Sequence, residues 1–212
     1  MDDPLTLDPS RTAVLVIDLQ NDNLAPGGAS DGSEGFRHAR SQQVVAHAGR
    51  IADAARSAGG KVVHCHFVID PEAGGAGRNT PLFRKITDGP MVVRASWGAA
   101  PVAGAEPRPG DLVIARSRMS AFGGTQLDIM LRNLRIDTVV VTGVHLCHAV
   151  NHTTRDAADL GYRVLLVSDA TASQSAEWQA ADLATGLTDI AEILTTEAVI
   201  TGFLTKQSEA TA

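Results

Sequence analysis

The sequence predicts an α/β chain: a doubly wound, six-stranded, mainly parallel sheet with helices on both faces. Three observations carry that prediction. Six short runs rich in Val, Ile and Leu recur along the chain, helical patterns alternate with them, and glycines stand where two of those patterns must stop. The runs are continuously apolar rather than alternating, which suits strands buried on both faces of a parallel sheet. Strand, helix, strand in repetition then implies right-handed crossovers.

The elements follow in order. Residues 13–17 (AVLVI) form the first strand and end at Asp18. A helical pattern over 41–58 is closed by Gly59-Gly60, a C-terminal stop signal. Residues 62–67 (VVHCHF) and 112–114 (LVI) read as the second and third strands, and 125–134 as a helix. The fourth strand is 138–142 (TVVVT), followed by a helix over 149–160 with Gly161 after it. Residues 164–167 (VLLV), a helix over 177–188 and a short sixth strand, Glu192–Leu194, complete the pattern. Two stretches, 24–35 and 70–108, are rich in Gly and Pro and read as loops. Both follow the carboxyl end of a strand, where open parallel sheets bind ligands, so they are candidates to wall or cover a pocket.

Composition bounds the function. The 212 residues suit one domain, residues 1–212 with a core of about 12–204, and 44% of them are hydrophobic. Such a chain needs no metal or disulfide staple to fold. Eighteen Lys+Arg against 24 Asp+Glu give a net charge of −6, which speaks against a broad nucleic-acid or anionic-membrane surface. No apolar run reaches the roughly 20 residues of a spanning helix. The acidic N-terminal segment, broken by Pro4 and Pro9, is unlike a secretory signal. Cys65 and Cys147 make no disulfide framework, and a reducing cytoplasm is the expected compartment. The expected partner is a small-molecule substrate.

Strand ends hold the candidate chemistry. Asp18 follows the apolar run 13–17, and a partly desolvated carboxylate at a sheet edge suits general acid or base work; the alternative is an Asp capping the next turn. Arg116 and Arg118 end the third strand two residues apart, on one face, and either guanidinium can fork onto a carboxylate; the alternative is a surface pair. The fourth strand runs into VHLCHAVNHTTRDA, a helix entered through a tight turn, whose free N–H groups can hold an anion or a developing oxyanion. His145, Cys147 and His148 crowd that turn too closely to converge on one ion, and His148 with His152 lack a zincin carboxylate. His64 and His66 read as structural. No metal and no cofactor is expected.

Three segments, TAVLVIDLQND (12–22), DLVIARSRMSAFGGTQLDIMLRNLRIDTVVVTGV (111–144) and NHTTRDAADLGYRVLLVSDATAS (151–173), resemble the isochorismatase-like hydrolase superfamily, also called the cysteine hydrolases. The resemblance runs from about residue 12 to residue 204 and implies a Rossmann-like three-layer fold. Its cysteine members use an Asp, Lys and Cys triad. Asp18 matches the first member, Arg116 stands at the Lys position and Ala149 at that of the nucleophile. Cys147 falls two residues early, and the three lysines of the chain, Lys61, Lys85 and Lys206, are not at the motif. The resemblance also implies a cis peptide at Val144–His145 and a homodimer or homotetramer.

An alanine side chain cannot attack a carbonyl, so the thioester route is closed at position 149. The resemblance therefore implies a hydrolase, or a lyase, without a cysteine nucleophile: Asp18 as general acid/base, Arg116 as anion anchor and the Ala149 backbone N–H at the oxyanion position. Gln20, Trp97, Arg118, Phe122, His145, Cys147 and His148 are the expected substrate-binding residues. The alternatives are a non-catalytic ligand-binding relative, a cysteine amidase using Cys147, and a Cys→Ala replacement at 149. Arg116 and the HLCH turn favour natural divergence over the last.

Overall fold

The computed structural model describes residues 5–89 and 91–211, with side chains as far as Thr205 in the last helix. Residues 1–4 of the acidic N-terminal segment, with Pro4, lie outside the described residues, as does the Lys206 side chain. Six strands form one sheet: β1 (Thr12–Ile17), β2 (Lys61–Phe67), β3 (Leu112–Arg116), β4 (Thr138–Val144), β5 (Arg163–Ala172) and β6 (Glu192–Leu194). Their order is β3-β2-β1-β4-β5-β6, and every pairing is parallel. The chain winds outward through β2 and β3, then returns to place β4 against the other side of β1. The β1/β4 boundary is thus the point where the winding reverses, and a crevice opens there beyond the carboxyl ends.

Side-chain alternation divides the core into two layers. Val14 and Val16 of β1 join Val62, Val140 and Leu165 beneath α3 (Val44–Ala58) and α8 (Thr196–Thr211). Ala13, Leu15 and Ile17 face the opposite way, with Val63, Cys65, Val139 and Val141, against α5 (Leu127–Asn133) and α6 (Asn151–Asp159). Both β1 and β4 are buried along their whole length, as their unbroken apolar runs require.

The expected boundaries shift where local chemistry overrides the pattern. The helix expected over 41–58 is two elements, because Gln43 takes a left-handed φ of 50° between α2 (Glu34–Ser41) and α3. Gly59, at φ 88°, closes α3 with its N–H on the Ala55 and Arg56 carbonyls. A short turn of helix, α1 (Asn21–Leu24), precedes the glycine-rich stretch, which ends where Ser33 caps α2 by accepting from Phe36 N–H. The stretch 70–108 is not all loop. It contains α4 (Pro81–Asp88), whose start is fixed by a Thr80 cap and Pro81 in the first turn. Phe83 and Ile86 of α4 build a satellite core with Phe67, Ile69 and Val92. The expected helix over 177–188 is α7 (Ala176–Ala181) continued by a π-helical turn, Asp182–Gly186.

Candidate active site

Asp18 leaves β1 with a left-handed φ of 53°, a conformation a non-glycine residue holds only when its surroundings fix it. They do: its N–H donates to the Cys65 carbonyl at 3.0 Å, and its carbonyl accepts from Gln20 N–H and Asn23 Nδ2. The carboxylate is gripped from behind. Arg116 donates from one terminal nitrogen to Oδ1 at 2.8 Å and from the other to Oδ2 at 2.9 Å. The Phe67 backbone N–H donates to Oδ1 at 2.7 Å. Oδ1 therefore carries two donors and Oδ2 one. The Arg116 side chain is completely buried, that of Asp18 only 8% exposed. Burial works against the Arg116 charge, but the field and hydrogen bonds of Asp18 outweigh it and hold its pKa above the ordinary guanidinium value.

Arg116 also donates to the Met119 carbonyl at 3.3 and 3.0 Å. Its donors are turned to the protein, so the structure makes it the partner of Asp18 and gives it no exposed surface for a substrate anion.

From β4 the chain crosses a cis peptide at Val144–His145 and enters a π-helical turn, Leu146–Val150, that continues as α6. Gly143, at φ 114°, makes this path possible: a Cβ there would lie 2.0 Å from the Ile17 carbonyl oxygen. His145, His148 and Ala149 are thereby brought to the carboxyl end of β4, next to Asp18 of β1. Together they line a cavity of about 360 Å³ whose other walls include Phe67, Met119, Val144 and Gln174. Both Gly/Pro-rich stretches contribute walls: Ser30 and Ser33 from one, Leu82, Lys85, Ile86 and Met91 from the other. A larger, more open groove of about 550 Å³ runs along α3, but no strand end opens into it.

Both cavity histidines favour the neutral form. Burial, reinforced by the nearby His148, pushes His145 down to about 4 against the attraction of Asp18. Its Nδ1 has no hydrogen-bond partner among the described residues. Burial also lowers His148, with repulsion from His152 and Lys85 adding to it. Cys147 does not line the cavity. Its N–H donates to Ser173 Oγ at 3.2 Å, its Sγ lies 3.6 Å from His148 Nδ1, and burial raises its thiol pKa. Both cysteines are free.

Four more expected substrate-binding residues stand elsewhere. Gln20 is fully buried and ties the Phe67 and Ala99 carbonyls together, each at 2.9 Å, so its amide serves the backbone. Trp97 is 57% exposed, away from the cavity. Phe122 stacks on Tyr162 with ring centroids 5.8 Å apart. Arg118 lies 4.2 Å over the Phe83 ring and donates to the Ala76 carbonyl, fastening the segment that carries α4. Conversely, Asn23, Lys85 and Gln174 reach the cavity and were not anticipated. Thr80-Pro81 followed by apolar residues at 82, 83 and 86 was the available signal for the helix that delivers Lys85.

His64 Nε2 donates to the Asp111 carboxylate at 3.2 Å within an ion-pair cluster with Arg56. No group of three or more His, Cys, Asp or Glu side chains that could hold a metal ion occurs among the described residues. Nor, among them, is any helix long and apolar enough to cross a membrane.

Comparison with known proteins agrees with this fold. Residues 12–198 match the Isochorismatase domain model. The ureidoacrylate amidohydrolase RutB of Rhizobium rhizogenes is 34% identical over 181 residues, covering 80% of this chain and 73% of that one. Its counterpart from Agrobacterium fabrum is 33% identical, over 80% of this chain and 79% of that one. A cysteine hydrolase from Pseudomonas syringae pv. phaseolicola superposes with a TM-score of 0.83 at 25% identity, covering 97% of this chain and 99% of that chain. The N-carbamoylsarcosine amidase of Thermoplasma acidophilum gives 0.71 at 25% identity, over 88% and 96%. The chain belongs to the isochorismatase family of hydrolases.

Proposed function

We propose that this hydrolase cleaves a small amide- or ureido-bearing metabolite with water, not a cysteine thiol, as the nucleophile. One observation carries the reading: Ala149 stands at the cavity wall beside Asp18, and no thiol lines the cavity among the described residues. The names of the two amidohydrolase relatives support an amide-type bond.

Asp18 acts through Oδ2, the oxygen with a single donor, which is free to accept a hydrogen bond from water. The water oxygen bonds to the substrate carbonyl carbon as its proton passes to Oδ2. The C–N bond then breaks and that proton leaves with the nitrogen. Arg116 holds the carboxylate in the orientation this transfer needs. The Ala149 backbone N–H, in the turn after the cis peptide, donates to the developing oxyanion. His145 and His148, both neutral near pH 7, serve as hydrogen-bond partners for the leaving group.

The 3.6 Å contact between Cys147 Sγ and His148 Nδ1 favours a second reading, a relocated cysteine nucleophile. Turnover across small amides, ureido compounds and enol ethers, followed by mass spectrometry, separates the two. Water attack predicts full activity in Cys147→Ser, no covalent adduct on the intact protein and loss in Asp18→Asn. A thioester adduct, or loss in Cys147→Ser, establishes the second reading instead.

A further inference from the structure

The cavity has few ionisable side chains. Among the described residues lining it they are Asp18, Lys85, His145 and His148. Asp18 is neutralised by the fork of Arg116 behind it. The two imidazoles are neutral near pH 7. That leaves Lys85, on α4, as the only uncompensated charge. It has no hydrogen-bond or ion-pair partner among the described residues, and its side chain is exposed at the cavity mouth, close enough to repel a proton from His148. The rest of the wall near it is apolar: Leu82, Ile86 and Met91. A cation at the rim of a small cavity that holds no other free charge among its described lining residues favours a ligand with one anionic end.

From this arrangement we infer that Lys85 selects an anionic substrate, binding its carboxylate at the α4 end of the cavity while the scissile group lies against Asp18 and Ala149. This assignment rests on the hydrolase reading above and deepens it. Lys85 replaces Arg116 as the anion anchor because the fully buried Arg116 is committed to Asp18 and the Met119 carbonyl, whereas the Lys85 ammonium is open to the mouth. Arg118 contributes indirectly: stacked on Phe83, it holds α4 in place so that Lys85 overhangs the cavity.

The test is calorimetric titration of the full chain with 3-ureidoacrylate, maleamate and N-carbamoylglycine, each beside its uncharged primary amide. The parent is expected to bind at least one anion about two- to fivefold more tightly than its amide, the scale of one exposed ion pair. Lys85→Gln removes that preference, Lys85→Arg keeps it, and added salt weakens it because the mouth is wet. The melting temperature of Lys85→Gln stays at the parent value, since the side chain makes no hydrogen bond or ion pair among the described residues. If no anion binds more tightly than its amide, or if Lys85→Gln keeps the preference, the assignment is overturned. Anion preference that depends on Lys85 without Asp18-dependent turnover would sink the hydrolytic mechanism and leave this assignment standing. Asp18-dependent turnover with no anion preference would do the reverse.

Discussion

Replacing Arg116 by Met removes one half of a buried ion pair and nothing else of comparable weight. The parent guanidinium makes two hydrogen bonds to the Asp18 carboxylate and two to the Met119 carbonyl, with its side chain wholly out of water. Met fills much of the volume but leaves the Asp18 charge 8% exposed and unpaired. Breaking such a pair by removing one partner costs about 3–5 kcal/mol. For a domain of this size that corresponds to a fall in Tm of roughly 6–20 °C. The double variant Asp18→Asn/Arg116→Met buries no charge and should regain at least about 2 kcal/mol of the loss summed over the two single variants. Arg116→Lys restores the charge but not the fork, and should fall between parent and Arg116→Met. Urea unfolding at pH 7.5, read by far-UV circular dichroism, measures all four. A cost under about 1 kcal/mol for Arg116→Met, or simple additivity in the cycle, would refute the coupling on which the site rests.

Three further outcomes follow from the same geometry. Stability should fall as pH drops from 6.5 toward 4, because His66 and His145 are held near 4 by burial while the unfolded chain titrates at 6.5. Above that window neither state is protonated and the effect vanishes; at its lower end each histidine accounts for roughly 3 kcal/mol. Paired carboxylates such as Asp111, whose pKa is depressed, withdraw their contribution only below about 3.8, so the windows separate. Urea midpoints at pH 7.5, 6 and 5 that stay level would contradict this. Gly143→Ala should cost about 3 kcal/mol or more and abolish substrate binding, since its Cβ meets the Ile17 carbonyl at 2.0 Å in a left-handed backbone; a parent-like Tm would disprove the packing argument. Arg118→Ala should loosen α4 selectively, seen as faster amide exchange at 82–88 with the central strands unchanged, and uniform exchange would show that its stacking on Phe83 holds nothing.

The sheet was legible because β1, β4 and the first half of β5 are buried on both faces, which forces the unbroken apolar runs that reveal them. The approach of Asp18, Arg116, His145, His148 and Ala149 follows from their positions at the carboxyl ends of β1, β3 and β4, and so it too could be read from the chain. What could not be read was which partner each side chain would take. The Arg116 fork closes on Asp18 because β3 and β1 stand two strands apart with β2 between them, a distance only the folded sheet sets. Trp97 and Phe122 are apolar enough to suit a pocket, yet one is turned to solvent and the other stacks on Tyr162. The place of Lys85 at the site is not legible because α4 is short, lies amid Gly- and Pro-rich sequence, and belongs to no strand end. Its apolar face answers to the insertion's own small core rather than to the main sheet.

The central claim is that Asp18 carries the chemistry in place of a thiol. It is tested most directly by turnover of the amide, ureido and enol-ether panel by Asp18→Asn beside the parent, with substrate affinity measured in parallel. The account predicts that product formation falls by at least about 100-fold while affinity stays within a few-fold of the parent. Product formed by Asp18→Asn at the parent's rate would contradict it.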